Sequence, residues 1–141
     1  MPTYRAEPGE VIDVTPLGSH LAQAVTTTLA KTEQMEIIRL ILPAGKKIPP
    51  HKIAVPITVQ CLEGRVEFQA LGKWQTLERG QLLFLTGGEL HAVKSIEDSS
   101  VLITIFLTTE HAVKESAAGL LLSRFGHDPE AADSTHSGGA N

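Results

Sequence analysis

Residues 45–64, GKKIPPHKIAVPITVQCLEG, and residues 80–91, GQLLFLTGGELH, decide how this chain folds. In the first stretch five residues separate Gly45 from His51, and the line runs on through Ile53 and Ile57 to Gly64. In the second, five residues separate Gly80 from Thr86; Gly87 and Gly88 follow, and His91 comes three positions after Gly88. Pro49 and Pro50 keep the approach to His51 extended, because a residue that precedes proline is pushed out of the helical region. Ile57–Leu62 and Gln81–Leu85 then read as strands, each stopped by a glycine-bearing turn.

Working outward, Met35–Leu42 (MEIIRLIL) has the apolar run of a strand covered on both faces and ends at Pro43 and Gly45. Arg65–Ala70 and Trp74–Leu77 form a hairpin about Leu71, Gly72 and Lys73. Leu90–Ser95 and Val101–Leu107 complete the β section across the polar turn Glu97–Ser100. Upstream, Val11–Val14 reads as a first strand ended by Pro16 and Gly18, and Leu21–Ala30, rich in β-branched residues, as a second. Many short, evenly spaced strands punctuated by Gly and Pro indicate a sandwich or barrel.

The character changes at Thr108. Val113, Ala117, Leu120, Leu121 and Phe125 fall on one helical stripe, with Thr109 as N-cap and Gly126 as stop, so one helix is expected after the strands. The expected organisation is a loose arm over residues 1–10, a barrel over 11–107, a helix over 108–126 and a disordered tail over 127–141.

Composition narrows the function. A chain of 141 residues has room for one domain with a self-sufficient core. The single Cys, Cys61, forms no internal disulfide, and no cationic leader precedes an apolar core, so the cytoplasm is the expected location. Net charge is −4 with Lys and Arg scattered, and aromatics are only 4%, which points to neither nucleic acid nor a membrane surface as partner.

The two opening patterns resemble the paired motifs of the cupin superfamily, small jelly-roll barrels built as a double-stranded β-helix. The resemblance is to the compact single-domain bacterial cupins, whose two motifs lie close together as the fifteen residues between Gly64 and Gly80 place them here. It spans about Met35–Leu107 and implies an all-β barrel, here with the one C-terminal helix. In the first cupin motif, Gly is followed after five residues by His-x-His, after three or four more by Glu, and after six by Gly. Gly45, His51 and Gly64 match, while Ile53 stands at the second His position and Ile57 at the Glu position. In the second motif Gly80, Gly88 and His91 match, with Thr86 in place of Pro and Ser95 where Asn is common.

In cupins the two His and the Glu of the first motif and the His of the second ligate a transition metal. This sequence keeps His51 and His91, and two imidazoles are too few for a firm site, since even a catalytic zinc keeps three protein ligands. The set implies at most a weakly bound divalent metal. Strand alternation puts Cys61 inward with Ile57, so the thiol is a candidate third donor, set against the commoner fate of a free Cys as a small buried hydrophobe. Glu89, two residues before His91, competes as a donor with its reading as a solvated loop carboxylate.

The expected ligand-binding set is therefore His51, His91, Ile53, Ile57 and Cys61, with His51 and His91 the metal candidates. The leading expectation is a barrel that binds a small, partly apolar molecule with the two His as polar anchors. Two alternatives stand beside it: a metal-dependent oxygenase or isomerase with an incomplete ligand set, and a non-catalytic interaction module. A homodimer is expected from the resemblance and from exposed strand edges.

Overall fold

The computed structural model describes residues 5–107. The expected helix over 108–126 and tail over 127–141 lie outside the described residues. Nine strands follow one short 3-10 turn: β1 (Thr27–Lys31), β2 (Met35–Leu42), β3 (Lys47–His51), β4 (Ile57–Glu63), β5 (Arg65–Ala70), β6 (Lys73–Glu78), β7 (Leu82–Leu85), β8 (His91–Ser95) and β9 (Ser99–Phe106).

They form two antiparallel sheets, one in the order β1-β2-β9-β4-β7 and one in the order β3-β8-β5-β6. The pairing is nested: β2 with β9, β3 with β8, β4 with β7, β5 with β6. A chain paired in this way is one long hairpin rolled up, its strand pairs alternating between the two sheets, which is the jelly-roll arrangement.

Period-two alternation sets the core. Ile38, Leu40 and Leu42 of β2, Ile57, Val59 and Cys61 of β4, and Val101, Ile103 and Ile105 of β9 face Ile48, Val66, Phe68, Leu77 and Val93 of the other sheet. All are buried.

One end of the barrel is closed by its turns. Gly64 has φ +88°, and a Cβ there would lie 2.3 Å from Ser99 Oγ and 2.4 Å from the Asp98 carbonyl, so the β4–β5 turn packs directly on the β8–β9 turn. The Ser95 and Ser99 hydroxyls lie 2.6 and 2.7 Å from the Glu97 carbonyl, and the Arg65 N–H donates to Ser99 Oγ at 3.0 Å. Ser95 is thus part of the closure of this end.

Upstream of β1 the structure differs from the sequence expectation. Val11–Val14 is not a strand, and Leu21–Ala30 divides into a 3-10 turn, Gly18–Gln23, and strand β1 from Thr27. The reason is a side-chain latch. Arg39 Nη2 donates to the Thr15 carbonyl at 2.6 Å, and Glu63 accepts from the N–H groups of Leu17 at 2.9 Å and Gly18 at 3.1 Å. The segment is bonded to buried side chains instead of to a strand ladder. Further upstream, the Ala6 N–H donates to the Leu29 carbonyl at 2.8 Å.

Candidate functional site

The two glycine-flanked histidines come together. His51, last residue of β3, stands opposite His91, first residue of β8, in the ladder. Their ring centroids are 4.3 Å apart with planes at 59°. Phe68 of β5 stacks on the far side of His91, centroids 5.6 Å apart and planes within 9°. Both imidazoles are buried.

Each ring is oriented in the same way. Nδ1 of His51 lies 3.1 Å from the Pro49 carbonyl and Nδ1 of His91 lies 3.1 Å from the Glu89 carbonyl. A carbonyl only accepts, so in each ring Nδ1 carries the proton. In a neutral ring Nε2 then presents a lone pair. For His91, Nε2 is buried and has no hydrogen-bond partner among the described residues. Burial pushes the His91 pKa down, against a smaller opposing contribution from the Glu89 carbonyl and carboxylate, so the ring is neutral at pH 7.

The loops beside the pair are fixed by Glu89. Its carboxylate accepts from the Thr86 hydroxyl, the Thr86 N–H and, at 2.7 Å, the Gly87 N–H. The Thr86 hydroxyl above all holds the Glu89 pKa down to about 2, with burial opposing and the Gly87 and Thr86 N–H groups assisting. Both oxygens are committed to this turn, so Glu89 acts as a loop brace. The Gly88 N–H donates to the Ile53 carbonyl at 2.8 Å and ties this loop to the one after His51.

Ile57 lines the interior together with His91, Phe68, Val59 and Val66, around a cavity of about 10 Å³. That is space for about one water. Ile53 is half-buried and packs against the same core. The wall where cupins carry a second His and a Glu is hydrocarbon.

Cys61 is not brought to the imidazoles. It has the inward parity expected, but it lies four residues up β4 from Ile57, about 13 Å along the strand. Its thiol donates toward the Glu63 and Gly64 carbonyls of the closed end, and burial raises its pKa. A protonated thiol within a strand, bonded to turn carbonyls, is a core residue. Among the described residues no group of three or more His, Cys, Asp or Glu is disposed to hold a metal ion.

Sequence reasoning passes over two buried charges in MEIIRLIL. Glu36 has no solvent exposure and points inward from β2 in the same row as Ile105 and Ile57, its carboxylate 3.9 Å from Lys31 Nζ. Arg39, on the opposite face, forms the latch with Glu63 at 3.8 Å. Burial works to raise the Glu63 pKa, but hydrogen bonds from Leu17, Ser100 and Gly18, with Arg39 nearby, leave it lowered. The signal available is a charge interrupting an apolar run, which requires a partner that the sequence does not name.

No family model and no curated protein matches the chain. Solved structures do. A cupin superfamily protein from Desulfitobacterium hafniense is 13% identical over 73% of this chain and 100% of that one, with a TM-score of 0.60. An RmlC-like cupin from Desulfovibrio desulfuricans is 25% identical over 69% and 97%, with a TM-score of 0.57. A conserved protein of unknown function from Streptococcus pyogenes is 21% identical over 77% and 96%, with a TM-score of 0.59. Nested strand pairing, two facing histidines and these neighbours define a jelly-roll barrel of the cupin kind. The chain has the cupin fold.

Proposed function

We propose that this cupin binds a small, partly apolar molecule at the His51–His91 end of its barrel and holds no resident metal ion. The observation that carries the reading is His91 Nε2: a neutral, desolvated lone pair without a hydrogen-bond partner among the described residues, inside an apolar wall. Such an atom is a demand for a donor. A hydroxyl or N–H on the ligand meets it, and branched hydrocarbon at Ile53 and Ile57 meets the ligand's apolar part.

The cavity limits what enters. With about 10 Å³ beneath His91, only the donor group itself fits among Ile57, Val59 and Phe68, and the body of the ligand lies outside this cavity. The metal-enzyme reading fits less well, because the donor set among the described residues is two imidazoles with Ile57 at the carboxylate position. A fold of this kind hosts many chemistries and does not choose between them.

The test is a thermal-shift and NMR screen of small neutral alcohols, phenols and amides against matched carboxylates. Neutral donors are expected to raise Tm and move the His91 ring resonances, and His91→Phe is expected to abolish both effects. Submicromolar binding of Zn, Ni, Mn or Fe by the wild-type protein, or hits indifferent to His91→Phe, would overturn the reading.

A further inference from the structure

Toward the end of β4 away from the two histidines, a cleft of about 430 Å³ opens between the segment ahead of β1 and the turn that joins β6 to β7. Sites for small ligands are commonly of this size. Ile12, Val14 and Leu62 give it an apolar wall, with Gln60 beside them. The only charged side chains among the described lining residues are Asp13, from the segment, and Arg79, from the turn.

Both charges stand on fastened backbone. The turn is tied to β4, the Gly80 N–H donating to the Cys61 carbonyl at 2.8 Å and the Cys61 N–H to the Gln81 carbonyl at 2.9 Å. Within the turn, the Gln81 N–H donates to the Glu78 carbonyl and Gln81 Oε1 accepts from the Glu78 N–H, each at 2.8 Å. Opposite it, Arg39 Nη2 holds the segment through the carbonyls of Thr15 at 2.6 Å and Val14 at 3.3 Å. Asp13 uses one oxygen, Oδ1, to accept from the Thr15 N–H at 2.9 Å and the Thr15 hydroxyl at 2.8 Å. Those two bonds, the N–H above all, keep its pKa below the usual carboxylate range, so the group is ionised at pH 7.

Neither charge is answered within the protein. Among the described residues Asp13 and Arg79 form no ion pair, Asp13 Oδ2 has no hydrogen-bond partner and the Arg79 guanidinium has none. Arg39, the nearest other cation to Asp13, is committed to Glu63. A purely anionic ligand is repelled by Asp13 and a purely cationic one by Arg79, while a neutral one strips water from both charges without replacing it. A molecule with one charge of each sign on a hydrocarbon body suits all of the lining. From this geometry we infer that the cleft binds a small zwitterion of the α-amino acid class, its carboxylate on Arg79, its ammonium on the open oxygen of Asp13 and an aliphatic side chain against Ile12, Val14 and Leu62. Arg79 suits the first role because a guanidinium can engage both oxygens of a carboxylate. The site is separate from the His51–His91 end and does not rest on it.

The experiment is a titration of the isotope-labelled full chain with L-leucine, followed by NMR at the amides of Val14, Gln60, Leu62 and Gly80. Two comparison ligands, 4-methylpentanoate and 3-methylbutylamine, each keep the branched body and one of the two charges. Leucine is expected to shift these amides with a Kd of about 1 mM or below, at least tenfold tighter than either comparison ligand. Arg79→Gln and Asp13→Asn are each expected to weaken leucine binding at least tenfold at an unchanged Tm, since both side chains are exposed and Asn keeps the acceptor that Thr15 uses. His91→Phe is expected to leave leucine binding intact, so that this site and the barrel site stand or fall separately. The inference is overturned by the absence of shifts at about 20 mM leucine, by comparison ligands that bind as well as leucine, by unchanged affinity in either Arg79→Gln or Asp13→Asn, or by loss of binding in His91→Phe.

Discussion

His51 and His91 are partners across the β3–β8 ladder, with ring centroids 4.3 Å apart, although thirty-nine residues of chain separate them. Their Nδ1 atoms are spent on carbonyls two residues back, so what remains at this end of the barrel is acceptor chemistry. That asymmetry sets the first expectation.

Restoring the missing donor should create the metal site that the pair alone does not make. Ile57→Glu places a carboxylate on the wall that His91 shares. Without metal the variant should lose roughly 3 kcal/mol, because an ionised carboxylate replaces a buried Ile. Zn or Ni should recover much of that loss as a rise in Tm, by mass action on the folded state. The wild-type Tm should move little under the same titration, and calorimetry of both proteins checks the comparison.

Acid should act in two stages. The folded His91 pKa lies below its ordinary value, so the folded state binds this proton less readily than the unfolded chain. The His91 contribution is present above pH 6.5 and declines as pH falls below it. Glu89 and Glu63 have lowered carboxyl pKa values, so their contributions hold above pH 4.5 and are lost as pH falls further, for Glu89 toward about 2. Denaturation midpoints measured from pH 8 to pH 3 should show both declines, and His91→Phe should remove the first alone.

Gly64→Ala should be far worse than Gly80→Ala. Both glycines have positive φ, +88° and +87°, but a Cβ at Gly80 meets open space while at Gly64 it strikes Ser99 and the Asp98 carbonyl. Backbone strain alone predicts a loss of about 1–2 kcal/mol at Gly80. Added overpacking predicts about 2–4 kcal/mol at Gly64. Urea denaturation of the two variants separates them.

Glu63→Ala should release the segment ahead of β1. Removing one partner of a buried pair leaves Arg39 uncompensated, at a cost of about 3 kcal/mol or more. Hydrogen exchange at Leu17 and Gly18 should rise together, since both amides bond to Glu63. A variant with unchanged exchange there would show that the latch does not hold the segment.

Much of the barrel is legible in the residues themselves. Met35–Leu42 and Arg65–Ala70 emerge with the bounds read from their apolar patterns, and the motif spacing brings His51 and His91 to one place. What is not legible depends on distance in space. Strand parity correctly turns Cys61 inward, but parity says nothing of height along the barrel, and four residues of rise separate it from Ile57. The Val11–Val14 segment has a strand's composition and no ladder, because Arg39 and Glu63 from later strands bond the chain that follows it. Glu36 is hidden within an apolar run. Long-range capture of this kind leaves no local signature.

The nested pairing also dictates when the protein can become itself. β9, the last described strand, lies between β2 and β4 at the middle of its sheet. While a ribosome is still making residues 99–106, Ile38, Leu40, Val59 and their neighbours have no centre strand to gather on. Folding of this barrel therefore waits for nearly the whole of its strand region to be synthesised, and nascent chains stalled short of Ser99 are the forms on which chaperones and proteases should act.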